Sequence, residues 1–174
     1  MSRPYRVRTG ITAVSALAAA ATAAPVMAAS PAVAAPPPPC ATSALGLSWG
    51  PGGSAVPGGS VPGSRQSAVV ALSNLSRTTC MLDGFPKMTL VQGAATTTSA
   101  GRTSAPHSTV TLEPGTTARF TLAFTAGRAG RSGVVEPSVA VVTPPNNTGA
   151  KDLHWRWGPV ATEGTAPLVG PVRG

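Results

Sequence analysis

The sequence predicts an all-β fold, an immunoglobulin-like two-sheet β-sandwich of about eight strands preceded by a signal peptide. Three observations predict it. Gly (20) and Pro (19) are spread through the 174 residues and interrupt any long helix. Between those breaks lie short runs rich in Val, Thr, Ala and Leu, and the clearest of them alternates with period two. Only 10% of residues are charged and 4% aromatic, a composition suited to many short strands joined by turns.

Residues 1–34 read as a secretory leader. Arg3, Arg6 and Arg8 form a basic start, 11–24 is an apolar run of small residues, and Val26-Met27-Ala28 and Ala32-Val33-Ala34 offer cleavage sites between Ala28 and Ala34. The run has Ala where a membrane span would have Leu, so a stable anchor is not expected. A twin-arginine pair is absent, which favours the general secretory route. Four prolines precede Cys40 where a lipoprotein signal would differ, so no lipid is expected there. The expected mature protein is a single domain at 35–174, extracellular or associated with the cell wall, with no membrane span.

Export determines how the two cysteines read. Outside the cell thiols oxidise, and Cys40 and Cys80 have only each other as intrachain partners. A bridge between them closes a loop of about 40 residues and contributes roughly 4 kcal/mol in the chain-entropy picture. A metal thiolate pair or a nucleophilic cysteine would want a histidine close in sequence, and neither cysteine has one.

The elements follow in order. A first strand at 44–49 places Leu45, Leu47 and Trp49 on one face. The Gly/Pro-rich stretch 50–63 reads as a mobile loop. Strand 65–74 carries Ala68, Val70 and Leu72 on one face and Val69 and Ala71 on the other, which suits a central strand. A polar turn at 74–79 leads to Cys80. Asp83-Gly84-Phe85-Pro86 is a corner, with Gly free to take positive φ and Pro fixing the start of the strand at 87–92. A polar loop or weak edge hairpin at 93–106 precedes a short strand at 107–112. Segment 116–125 is the clearest strand: Ala118, Phe120, Leu122 and Phe124 alternate with polar neighbours and place both phenylalanines in the core. A basic loop at 126–133, a strand at 137–143, a turn at 144–149, a strand at 151–157 and a last strand at 166–172 complete the chain.

Four pieces in this order carry a resemblance: C-A-T-S-A-L at 40–45, V-V-A-L-S-N at 69–74, T-C-M-L-D-G-F-P at 79–86 and V-T-L-E-P-G-T-T-A at 110–118. The chain resembles the small secreted actinobacterial proteins grouped as domain of unknown function family 4232. The resemblance covers nearly all of the mature chain. It implies a secreted, disulfide-bonded β-sandwich near the cell envelope, and it brings no known activity and no catalytic residues. The high Ala, Gly and Pro content also suits an actinobacterial proteome.

Chemistry-bearing groups are sparse. No G-x-S-x-G elbow and no H-E-x-x-H helix exists, so no catalytic residues are assigned and an enzyme is not expected. Asp83 and Glu113 are turn residues. Met81, Met88, His107 and His154 match no metal-ligand spacing, so no metal or other cofactor is expected. The net charge of +8 falls to about +5 without the leader, with no basic block or nucleic-acid motif, so nucleic acid is not an expected partner. The candidate binding residues are His154, Trp155, Arg156 and Trp157. On a strand the two indoles share a face with Leu153, opposite His154 and Arg156. Inward, they are core. Outward, they form a platform for sugar rings or a protein partner.

The expected function is a non-catalytic, monomeric, secreted cell-envelope module that binds cell-wall polymer or a protein partner. The alternatives are an accessory or inhibitor-like protein that docks a secreted enzyme through its loops, and an extracellular copper- or zinc-binding protein.

Overall fold

Alternating apolar residues on two long segments build the middle of the molecule. In the computed structural model of the protein, which describes residues 35–174 apart from Gly59 and Ala95, these segments are β2 (Arg65–Asn74) and β8 (Thr117–Ala126). They pair antiparallel from Arg65 opposite Thr125 to Ser73 opposite Thr117. Ala68, Val70 and Leu72 on β2, and Ala118, Phe120, Leu122 and Phe124 on β8, are all buried in the core. The signal peptide read at 1–34 and its cleavage site lie outside the described residues.

The first sheet runs β1-β2-β8-β12-β9, where β1 is Leu45–Gly53, β9 Val134–Val135 and β12 Val160–Ala161. Strand β13 (Leu168–Val169) also pairs with β8, and with the short β6 (Gly101–Arg102). The second sheet is β11-β10-β4-β5: Lys151–His154, Val139–Thr143, Lys87–Gln92 and Thr96–Ser99. Its inward residues are Met88, Leu90, Ala140, Val142 and Leu153. They join the inward residues of the first sheet in one buried cluster. This is an all-β two-sheet sandwich, as the alternation predicts. Among the described residues the only helical element is a 3₁₀ turn at Thr42–Ala44, and no helix is long and apolar enough to cross a membrane.

Two differences from expectation have clear causes. β1 continues past Trp49 to Gly53, with its pairing to β2 shifted between those residues. Gly53 has φ +84°, and a Cβ there would collide with the Ser67 carbonyl, so glycine is required at this bulge. The loop therefore starts at Ser54. The strand count also exceeds eight, because β6, β9 and β12 are two residues long, too short to show a period; β13 is a shortened form of the last strand expected at 166–172.

A third, small sheet pairs β3 (Cys80–Leu82) with β7 (Val110–Leu112). The leading segment joins it: Pro39 bridges Met81 in parallel, the Cys40 N–H donates to the Met81 carbonyl (2.9 Å), and the Met81 N–H donates to the Pro38 carbonyl (2.9 Å). Cys40 and Cys80 are bonded, with Cα atoms 4.9 Å apart, as the sequence predicts. Nearby, Asn74 is fully buried and fully used. Its Nδ2 donates to the Thr78 and Leu112 carbonyls, and its Oδ1 accepts from the backbone and hydroxyl of Ser76.

Candidate functional site

The strand carrying the candidate binding residues ends earlier than its alternation suggests. β11 stops at His154, although the Trp155 N–H still donates to the Ser138 carbonyl at 2.8 Å. Trp155 and Trp157 are 4% and 6% exposed, so of the two placements that alternation left open they take the inward one and belong to the core, not to a binding platform. The physical reason is the scarcity of large side chains elsewhere. The space between the β1 and β11 edges and β8 is filled by indoles: Trp49 meets Trp155 and Trp157 edge-on at 5.8 and 5.6 Å, and Phe124 meets Trp155 at 5.2 Å. Trp49 Nε1 closes the seam by donating to the His154 carbonyl (2.8 Å). Of the four candidates only His154 and Arg156 are exposed, and the Arg156 guanidinium lies 4.5 Å from the Trp157 ring centre.

The best-formed polar concavity lies at the Asp83-Gly84-Phe85-Pro86 corner. It is a cleft of about 370 Å³. Four separate stretches of chain build it. The corner joins β3 to β4, and Gly84 makes the turn with φ +96° while its carbonyl accepts from the Val172 N–H (3.0 Å). Lys87 follows at the start of β4. Arg102 comes from β6, and His107 from the connection between β6 and β7. The turn after β10 supplies Pro144 and Pro145, both buried, then Asn146 with φ 57°, a value asparagine tolerates. Asn147 ties this turn to the disulfide: its Nδ2 donates to the Cys40 carbonyl (2.9 Å), and its Oδ1 accepts from the Thr42 N–H (3.0 Å).

Inside the cleft, His107 Nδ1 lies 3.1 Å from Asp83 Oδ1, with both side chains somewhat under half exposed. The Phe85 ring is flanked on one side by His107, edge-on at 5.7 Å, and approached by the Arg102 guanidinium at 5.8 Å. The Asp83 carbonyl accepts from Asn146 Nδ2 at 3.4 Å. Lys87 and Arg102 are exposed, and neither side chain has an ion-pair or hydrogen-bond partner among the described residues. The lining contains no Ser, Thr or Cys.

In sequence Asp83 reads as a turn residue and His107 matches no ligand spacing, and nothing local brings the two together. The corner motif was visible, but the partners of Asp83 lie 24 and 63 residues away, beyond any local pattern. The residues weighed for copper, Met81, Met88, His107 and His154, lie on β3, on β4, before β7 and on β11. No group of three His, Cys, Asp or Glu side chains comes together among the described residues.

A family model described as Domain of unknown function (DUF4232) matches residues 40–173, from the first cysteine through the last residues of the small terminal strand region. No curated protein and no solved structure matches the chain.

Proposed function

The chain belongs to the DUF4232 family, whose description names no activity, and we propose from its own residues that it is an exported, non-catalytic binding module of the cell envelope. The observation that carries this reading is the cleft. Polar and cationic side chains from four segments converge there on a rigid corner, and no hydroxyl or thiol nucleophile lines it. The leader-like start, with Arg3, Arg6 and Arg8 ahead of a small apolar run, supports export. The disulfide supports an oxidising compartment. The Ala-, Gly- and Pro-rich composition supports an actinobacterial source. The module acts as a monomer, and its ligand class is cell-wall polymer.

A second reading, an accessory or inhibitor-like protein that docks a secreted enzyme, is favoured by one feature. The loop between β1 and β2 presents Val56 and Val61, 57% and 70% exposed, on a Gly/Pro-rich stretch. Paired exposed aliphatic side chains on such a loop suit insertion into a partner's groove.

The two are separated by incubating the protein from culture medium with purified wall and, in parallel, with secreted proteins. Retention on wall glycan is the expected result. Recovery of one protein partner, abolished by Val56→Ser with Val61→Ser, supports docking. Release of soluble fragments from the wall, lost in His107→Ala, overturns the non-catalytic reading.

A further inference from the structure

We propose that the cleft at the Asp83–Pro86 corner binds an oxyanion group, a carboxylate or phosphate, borne on a sugar or polyol unit of an anionic wall polymer. This rests on the envelope-module reading above.

The argument is an accounting of which polar groups are already engaged. Several acceptors of the cleft are engaged internally. Gly84 O accepts from Val172, Asp83 O accepts from Asn146, and the Asp83 carboxylate is held by His107. The amide of Asn147 is spent on Cys40 and Thr42. The donors with formal charge are free: Lys87 and Arg102 have no partner among the described residues. A site whose two free charged side chains are both donors favours an acceptor-rich anion. The fixed charges agree, since Lys87 and Arg102 outnumber the single carboxylate whatever the protonation of His107.

Geometry then restricts what carries the anion. Arg102 and His107 both border the half-buried Phe85 ring, so the free guanidinium stands beside an apolar face in a cleft also lined by Pro144 and Pro145. A bare ion leaves that face unused. A sugar or polyol bearing the anion covers it with C–H groups while its oxyanion reaches the guanidinium. A cleft of about 370 Å³ has room for one such unit. The loop bearing His107 is itself anchored, because Arg173 Nη2 donates to the Pro106 carbonyl at 3.3 Å.

The test titrates the oxidised protein recovered from culture medium with glycerol 3-phosphate and with galacturonate. Glycerol and galactose serve as neutral counterparts, and amide chemical shifts are the readout. The expected result is saturable shifts for one or both anions, centred on residues 83–87, 102 and 107, and none for the neutral pair. The tighter anion identifies the source as phosphate or carboxylate. Lys87→Ala and Arg102→Ala, both at exposed positions, each weaken binding about tenfold, and raised salt weakens it further. Arg128→Ala, exposed but outside the cleft, leaves it unchanged. Equal binding of neutral and anionic ligands overturns the proposal. Undiminished wall retention by the Lys87→Ala/Arg102→Ala protein also overturns it, yet leaves the module reading standing. Failure of the unaltered protein to bind any wall fraction overturns both.

Discussion

Trp155 and Trp157 are both buried, yet only one of the two indole N–H groups finds an acceptor. Trp155 Nε1 donates to the Gly158 carbonyl at 2.7 Å, whereas Trp157 Nε1 has no partner among the described residues. Replacing each with Phe removes similar packing but opposite hydrogen-bond accounts. Trp155→Phe loses a bond and strands a carbonyl, while Trp157→Phe removes an unsatisfied donor. We expect Trp155→Phe to cost about 1–2 kcal/mol more than Trp157→Phe in urea unfolding. Equal costs would show that the Trp157 N–H has found an acceptor. At this scale the sequence told which residues share a face and not where the face points. Alternation grouped Leu153, Trp155 and Trp157, and the inward choice depended on Trp49 and Phe124 from distant strands. Asn74 is a similar case. Its turn with Ser76 is local and legible, but its bond to the Leu112 carbonyl spans 38 residues and is not.

The small β3–β7 sheet with its attached leading segment is the element whose integrity depends most on covalent chemistry. Pro38–Cys40 is held against Met81 by two backbone hydrogen bonds and by the sulfur bridge. Replacing both cysteines with alanine should lower unfolding free energy by roughly 4 kcal/mol, read as a fall in the urea midpoint with a steeper slope, because the unbridged unfolded chain exposes more surface. It should also speed amide exchange at Cys40 and Met81 beyond that of β2 and β8. Exchange that rises equally everywhere would mean the bridge acts only on the unfolded chain. Elements of six to ten residues were readable here because their period repeats several times: β2, β4 and β8 fall close to where alternation puts them. Strands of two residues carry no period, so β6, β9 and β12 emerge only from their neighbours. The end of β1 was hidden for another reason. Glycines that look like loop punctuation there serve a bulge beside Ser67.

At the scale of the whole molecule, class was legible and convergence was not. Gly/Pro spacing and alternation were sufficient for a sandwich, whereas the cleft needs the corner, β6, the loop before β7 and the turn after β10 to meet. The position of the bridge has a mechanical consequence. Tension applied at residue 35 and at the carboxyl end passes along the covalent chain from Cys40 straight to Cys80, so the segment between them never pays out. In single-molecule stretching, the 40-residue separation should leave the oxidised protein short of the reduced one by about 140 Å of released chain. Identical lengths with and without reductant would mean that the clasp is open. Anchored by its leading end, the protein would hand any pull to the sulfurs before a single ladder of β1 and β2 felt it.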